Sequence, residues 1–272
     1  MSVKQRNNVK VTGSGAATMV FSHGFGCDQN MWKYLAPNFE SRFTTILFDL
    51  VGSGQSDLAA YDRKKYGSLQ GYADDVVEII EEFAGTPVIF VGHSVSAMIG
   101  LLASIKAPDR FLAQIMVGPS PSFINDGDYI GGFTHADIES LLDTLESNYL
   151  GWSSTMAPAI MGAPDQPELA AELTNSFCST DPTIAKHFAR VTFLSDHRAD
   201  LPHSATPALL LQSTDDLLAP TSVGEYMQRI MPDATLELVE NVGHCPHMSA
   251  PSASTVAMEA FLDKLSYGPL NK

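Results

Sequence analysis

Runs of consecutive apolar residues alternate along this chain with segments whose apolar positions recur at helical spacing. Val88-Ile89-Phe90-Val91 and Ala208-Leu209-Leu210-Leu211 are apolar at every position, as strands covered on both faces must be. Similar runs predict strands at Val9–Val11, Thr18–Ser22, Thr45–Asp49, Val88–Gly92, Gln114–Val117, Ala208–Gln212 and Thr235–Leu238. Between them the spacing predicts helices over Leu69–Phe83, Val95–Lys106, Val223–Ile230 and Ser252–Leu265, with Pro251 opening the last. Strands and helices in alternation predict a parallel sheet with helices packed against it.

The alternation stops between about Pro121 and His197, where only helical segments are legible. Thr134 with Asp137 forms a capping-box pattern that opens a helix to about Tyr149. Pro167 starts another through about Phe177, and Asp181-Pro182 reads as N-cap plus first-turn proline for a helix to about Leu194. A helical insertion between strands of a parallel sheet predicts a cap over the C-terminal edge, where such sheets hold their ligands. The chain then divides into a core (1–120 and 198–272) and a cap (121–197) within a single domain.

Composition narrows the partners. The net charge of −15 argues against nucleic acid or anionic membrane, since both need clustered Lys and Arg. The N-terminal Met1-Ser2-Val3-Lys4-Gln5-Arg6-Asn7 has no apolar signal-peptide core, and no run is long enough to span a bilayer. Three scattered cysteines, Cys27, Cys178 and Cys245, lack metal-ligand spacing and read as free thiols in a reducing compartment. A cytoplasmic protein without metal or cofactor is the expectation. Gly52-Ser53-Gly54-Gln55-Ser56 lacks both the dinucleotide spacing and a P-loop lysine, and reads as a structural turn.

Gly92-His93-Ser94-Val95-Ser96 follows a buried strand and opens a helix, the setting in which G-x-S-x-G presents a nucleophilic serine. Small residues two before and two after the serine let the strand and helix approach; position 96 is Ser instead of Gly. A serine hydroxyl needs a base, and the base needs an orienting acid, in the chain order Ser, Asp, His on this scaffold. Asp215-Asp216 lies just past one predicted strand, and His244-Cys245-Pro246-His247 just past the next. Either aspartate and either histidine satisfies the pattern; His93, His135, His187, His197 and His203 default to structural or solvated roles. His23-Gly24-Phe25-Gly26 completes the set as an early loop able to aim the Phe25 amide, with that of Val95, at a developing oxyanion.

Taken together, His23-Gly24-Phe25-Gly26-Cys27-Asp28-Gln29, Phe48-Asp49-Leu50-Val51-Gly52-Ser53-Gly54, Gly92-His93-Ser94-Val95-Ser96 and Gly243-His244-Cys245-Pro246-His247-Met248-Ser249 resemble the RsbQ-like group of α/β-hydrolases. That group contains a bacterial regulator of the general stress sigma factor and the plant karrikin and strigolactone receptors. In the cap, Gly118-Pro119-Ser120-Pro121, Tyr129-Ile130-Gly131-Gly132-Phe133, Asn148-Tyr149-Leu150-Gly151-Trp152 and Phe177-Cys178-Ser179-Thr180-Asp181-Pro182 lean toward the bacterial branch, whereas Ser96 matches the receptors' elbow. The resemblance implies a mostly parallel eight-stranded sheet with helices on both faces and a four-helix cap. It implies a triad of Ser94, Asp216 and His244 and oxyanion amides at Phe25 and Val95. It also implies a pocket wall of Phe133, Leu141, Leu145, Trp152, Met156, Phe193 and Leu217.

The expected function is a slow serine hydrolase, a monomer cleaving an ester or lactone of a small hydrophobic molecule in a stress-signalling role. The resemblance implies a PAS-domain serine phosphatase as partner. Two other readings stand beside it: a ligand-sensing protein with little turnover, and a C–C bond hydrolase on the same scaffold.

Overall fold

The computed structural model describes residues 1–265. In chain order the elements are α1 (Val3–Arg6), β1 (Lys10–Gly13), β2 (Ala17–Ser22), β3 (Phe43–Phe48), α2 (Leu69–Phe83), β4 (Val88–His93), α3 (Val95–Lys106) and β5 (Phe111–Val117). Then follow α4 (His135–Ser147), α5 (Tyr149–Met161), α6 (Pro167–Ser179), α7 (Pro182–Phe193), β6 (Ala208–Asp215), α8 (Thr221–Ile230), β7 (Ala234–Val242), α9 (Pro246–Ser249) and α10 (Pro251–Lys264). The strands form one sheet in the order β1-β3-β2-β4-β5-β6-β7. β1 is antiparallel to its neighbour and every other pairing is parallel.

Among the described residues the sheet has seven strands, not eight. At one edge β1 is exposed along its length, and the residues before it make the helical turn α1, capped by Ser2 Oγ, instead of pairing. At the other edge the chain leaves β7 for α9 and α10. Centrally, every residue of β4 is buried, as are the first six of β6. Each fully buried Val, Ile, Leu or Phe contributes roughly 1.5–3 kcal/mol there. α3 packs on β4 and β5, while α8 and α10 pack on β6 and β7.

β6 and β7 run beyond their apolar stretches. Pairing continues through Ser213↔Val239 and Asp215↔Val242, although Thr214 and Asp215 are exposed and carry no hydrophobic signal. Backbone hydrogen bonds hold these ends, which a side-chain pattern does not register. The Gly52–Ser56 turn is tied by the Asp49 carboxylate, which accepts from Gln29 N at 2.8 Å, Gln55 N at 2.9 Å and Asn8 Nδ2 at 2.7 Å.

The helices α4–α7 form a cap inserted between β5 and β6. The Thr134/Asp137 capping box is present at the start of α4, and Asp181 caps α7. α5 is the helix that spacing did not isolate. It carries Pro158 inside, which removes one intrahelical bond, and it is apolar over most of its length. Asn148 nonetheless opens it by accepting from Gly151 N at 3.1 Å.

Candidate active site

Ser94 stands between β4 and α3 with φ 55° and ψ −120°, a region non-glycine residues occupy at a cost of about 1–3 kcal/mol. The turn is held from both sides. Ser94 N donates to Val117 O of β5 at 2.8 Å, and a Cβ at Gly92 would lie 2.4 Å from Ser96 O. Position 96 carries a purpose of its own. Ser96 Oγ donates to His23 O at 2.5 Å and lies 2.8 Å from Ser22 Oγ, tying the elbow helix to the loop that carries Phe25.

Asp216 and His244 meet beside this serine. His244 Nδ1 lies 2.7 Å from Asp216 Oδ2, with both side chains buried. The other carboxylate oxygen of Asp216 accepts from Leu218 N at 2.8 Å and Ala219 N at 3.1 Å, so its orientation is fixed. His244 Nε2 is buried without a protein hydrogen-bond partner, and Ser94 and His244 line the same cavity. The neighbouring aspartate has other work: Asp215 ends β6 exposed, and its carbonyl accepts from Gly243 N at 2.7 Å. His247 lies behind the triad against Trp32, with ring centroids 4.6 Å apart. Burial pushes its pKa down to about 3, so it stays neutral.

Two further imidazoles brace the loops. His23 accepts from Leu50 N at Nε2, 3.0 Å away, and so donates from Nδ1 to Gly24 O at 2.8 Å. His93 Nε2 donates to the carbonyl of His244 at 3.0 Å. Burial lowers the pKa of both rings, which favours their neutral forms beside His244. Val95 is the first residue of α3, where a backbone N–H has no intrahelical acceptor.

The Phe25 ring projects toward the cap and meets Trp152 at 6.2 Å, Phe177 at 5.8 Å, Phe188 at 5.7 Å and Phe193 at 5.9 Å. One core residue thereby joins α5, α6 and α7. Under this aromatic box lies a narrow cavity of about 20 Å³. It is walled by Phe25, Phe123, Ile160, Leu173, Phe177, Thr192, Phe193 and Leu218, with Cys27, His93, Ser94, His244 and Cys245 around its base. Of the pocket residues implied by resemblance, Phe193 lines it. Leu145 and Trp152 are buried in the cap one layer further out, Phe133, Leu141 and Met156 are half-buried, and Leu217 is exposed beside the lining Leu218. Ile160, Leu173 and Thr192 escaped the sequence reading. Ile160 sits in the unrecognised α5, and helical spacing cannot tell a cavity face from a packing face. Cys27 and Cys245 are buried and their thiols pushed up in pKa by desolvation, so they are poor nucleophiles at this cavity.

A mostly parallel sheet, a serine on a strained strand–helix turn and a helical cap define a hydrolase class, and the relatives agree with it. The alpha/beta hydrolase family model matches residues 19–258, and the chain belongs to that family. Within it, the Karrikin insensitive 2 receptor CA of Petunia hybrida is 40% identical over 250 residues, covering 92% of this chain and 93% of the relative. The Strigolactone esterase RMS3 of Pisum sativum is 38% identical over 259 residues, covering 94% and 97%. A solved hydrolase from Oleispira antarctica matches with a TM-score of 0.93 and 46% identity over 96% of both chains. This is an esterase-type hydrolase closely related to the plant karrikin and strigolactone receptors. Among the described residues no helix is long and apolar enough to cross a membrane.

Proposed function

We propose that this chain is a slow ester or lactone hydrolase acting as a small-molecule receptor: it binds a compact apolar ligand, opens it at Ser94 and transmits the event through the cap. One observation carries the reading. The backbone N–H of His244 donates to Ile160 O, near the C-terminal end of the cap helix α5, at 2.8 Å. The base and the cap thus share a backbone hydrogen bond, reinforced where Ala163 N donates to Val242 O at 3.3 Å. A change at the imidazole is felt by α5, and a displaced α5 pulls on the base.

The chemistry follows from the geometry. Ser94 Oγ attacks the carbonyl carbon while His244 Nε2 takes its proton. Asp216 holds the Nδ1–H tautomer and stabilises the imidazolium. The Phe25 and Val95 amides bind the oxyanion. Collapse expels the alkoxide, which takes the proton from His244; in a lactone that new hydroxyl stays on the acyl chain. Water then loses a proton to His244, attacks the acyl-serine and releases the acid with Ser94 restored. A cavity this narrow under a closed cap retards entry and release, which favours low turnover.

The named plant relatives, a karrikin receptor and a strigolactone esterase, support a receptor reading with a lactone as ligand class. The PAS-domain phosphatase implied by resemblance gains no support from these relatives, so the stress-signalling role ranks second. Mixing the protein with a synthetic butenolide enol ether tests the preferred reading. Expected are a burst of about one equivalent of product, slow steady turnover and a shifted melting temperature. Rapid linear turnover without a burst, equal in wild type and Ser94→Ala, overturns it.

A further inference from the structure

We propose that the groove between α6 and the loop after β2 is a second subsite of the catalytic centre, entered through a gate formed by Cys27 and Leu173. It takes a hydroxyl- or amide-bearing, neutral or cationic extension of the substrate. The proposal rests on the hydrolytic reading and adds where the rest of the substrate lies.

The cavity at Ser94 measures about 20 Å³, room for little more than a water molecule. The groove beside it measures about 290 Å³. Cys27 and Leu173 line both, at 4% and 2% exposure, so these two side chains stand between the cavity and the groove. A larger groove of about 520 Å³, lined by Arg63, His187 and Arg190, shares no lining residue with the catalytic cavity. The side chains whose displacement would open the serine to a neighbouring groove are therefore Cys27 and Leu173, and the groove is the α6 one.

Leu173 rides on α6, which is fastened to the β2 loop by Ser176 Oγ donating to Gly26 O at 2.9 Å and by the Lys33–Glu172 ion pair at 2.7 Å. That pair is partly exposed, at 44% and 32%, where solvent and salt weaken it. The opposite wall is a thiol that burial keeps protonated, hence uncharged and soft.

Asp28, Asn30, Glu172, Asn175, Ser176 and Ser179 line the groove, in contrast to the aromatic cavity. Asp28 accepts from Asn30 N, Glu172 engages Lys33, and the two serines donate to backbone carbonyls. The side-chain amides of Asn30 and Asn175 remain for a ligand's hydroxyl or amide. Two carboxylates disfavour an anionic one.

The test compares three p-nitrophenyl esters: acetate, ω-hydroxyoctanoate and the carboxylate-ended monosuberate. The wild type is expected to prefer hydroxyoctanoate over monosuberate by about tenfold in kcat/KM. Asn175→Trp, and separately Asn30→Trp, both at exposed positions, should cut the hydroxyoctanoate-to-acetate ratio by about tenfold. Arg190→Ala, in the other groove, should leave that ratio unmoved. A ratio unchanged in both tryptophan variants overturns the subsite, as does a wild type that prefers the monosuberate. Failure of the hydrolytic reading looks different: acetate cleavage would then survive Ser94→Ala.

Discussion

The floor and the roof of the catalytic cavity are built by different rules. The floor is the C-terminal edge of the sheet, where backbone pairing, the strained Ser94 turn and the fixed Asp216 carboxylate leave each group one place to be. The roof is α4–α7: apart from the two backbone bonds at the end of α5, His244 N to Ile160 O and Ala163 N to Val242 O, it is held down by ring contacts around Phe25, the Lys33–Glu172 pair, the Ser176–Gly26 bond and Tyr61 Oη, 2.6 Å from His187 Nδ1. Hydrogen-bonded backbone resists deformation, whereas side-chain contacts can slide and re-form. On the proposed reading the difference separates two tasks: the sheet sets the chemistry, and the cap sets what reaches it and how fast it leaves.

Asp216→Asn tests the floor most severely. It keeps the shape but favours the wrong His244 tautomer, so kcat for p-nitrophenyl acetate should fall by about 10³–10⁴ with little change in melting temperature. A loss of only a few-fold would mean the carboxylate is not the orienting acid. Next comes a matched pair of core deletions, Ile115→Ala in β5 and Leu145→Ala in α4, both at fully buried sites. Each should cost about 2–5 kcal/mol. Hydrogen exchange should then differ: Ile115→Ala weakens protection throughout, and Leu145→Ala weakens it within α4–α7 alone. Equal spread from both would erase the division between floor and roof.

Acid should loosen the floor. His247 is neutral in the fold, with its pKa pushed down to about 3, while in the unfolded chain it takes a proton near 6.5. Between those values the unfolded state binds more protons, so stability falls as pH drops through that window. The slope is up to about 1.4 kcal/mol per pH unit for one such group. His247→Phe keeps a ring on Trp32 and should make the acid loss shallower in pH-dependent urea titrations; an unchanged slope would show that His247 titrates normally. The smallest effect belongs to the roof: Lys33→Ala should cost at most about 1 kcal/mol, and less at high salt. A larger, salt-independent cost would mean the pair is a structural anchor.

Much of the floor was legible in the residues because it obeys local rules. Uninterrupted apolar runs gave β4 and β6, and Gly92, Ser94, Asp216 and His244 stand at strand ends where chain order fixes their convergence. The choice between Asp215 and Asp216 needed geometry or family likeness, since it turns on which carboxylate faces inward after the irregular end of β6. The roof was less legible. α5 hides Pro158 in an apolar helix, and which cap side chains reach the serine depends on how the helices cross: Leu218 lines the cavity beside the implied Leu217, and the implied Leu141 does not line it. The implied eighth strand is absent among the described residues: β1 and β7 are the two edges, and the residues before β1 make the capped turn Val3–Arg6.

The most direct measurement is rapid-quench intact mass spectrometry during p-nitrophenyl acetate cleavage, with peptide mapping of the product. The account predicts one acetyl group per chain, carried on Ser94, formed in the burst and absent from Ser94→Ala. Acetylation elsewhere, or hydrolysis at the wild-type rate without Ser94, would contradict it.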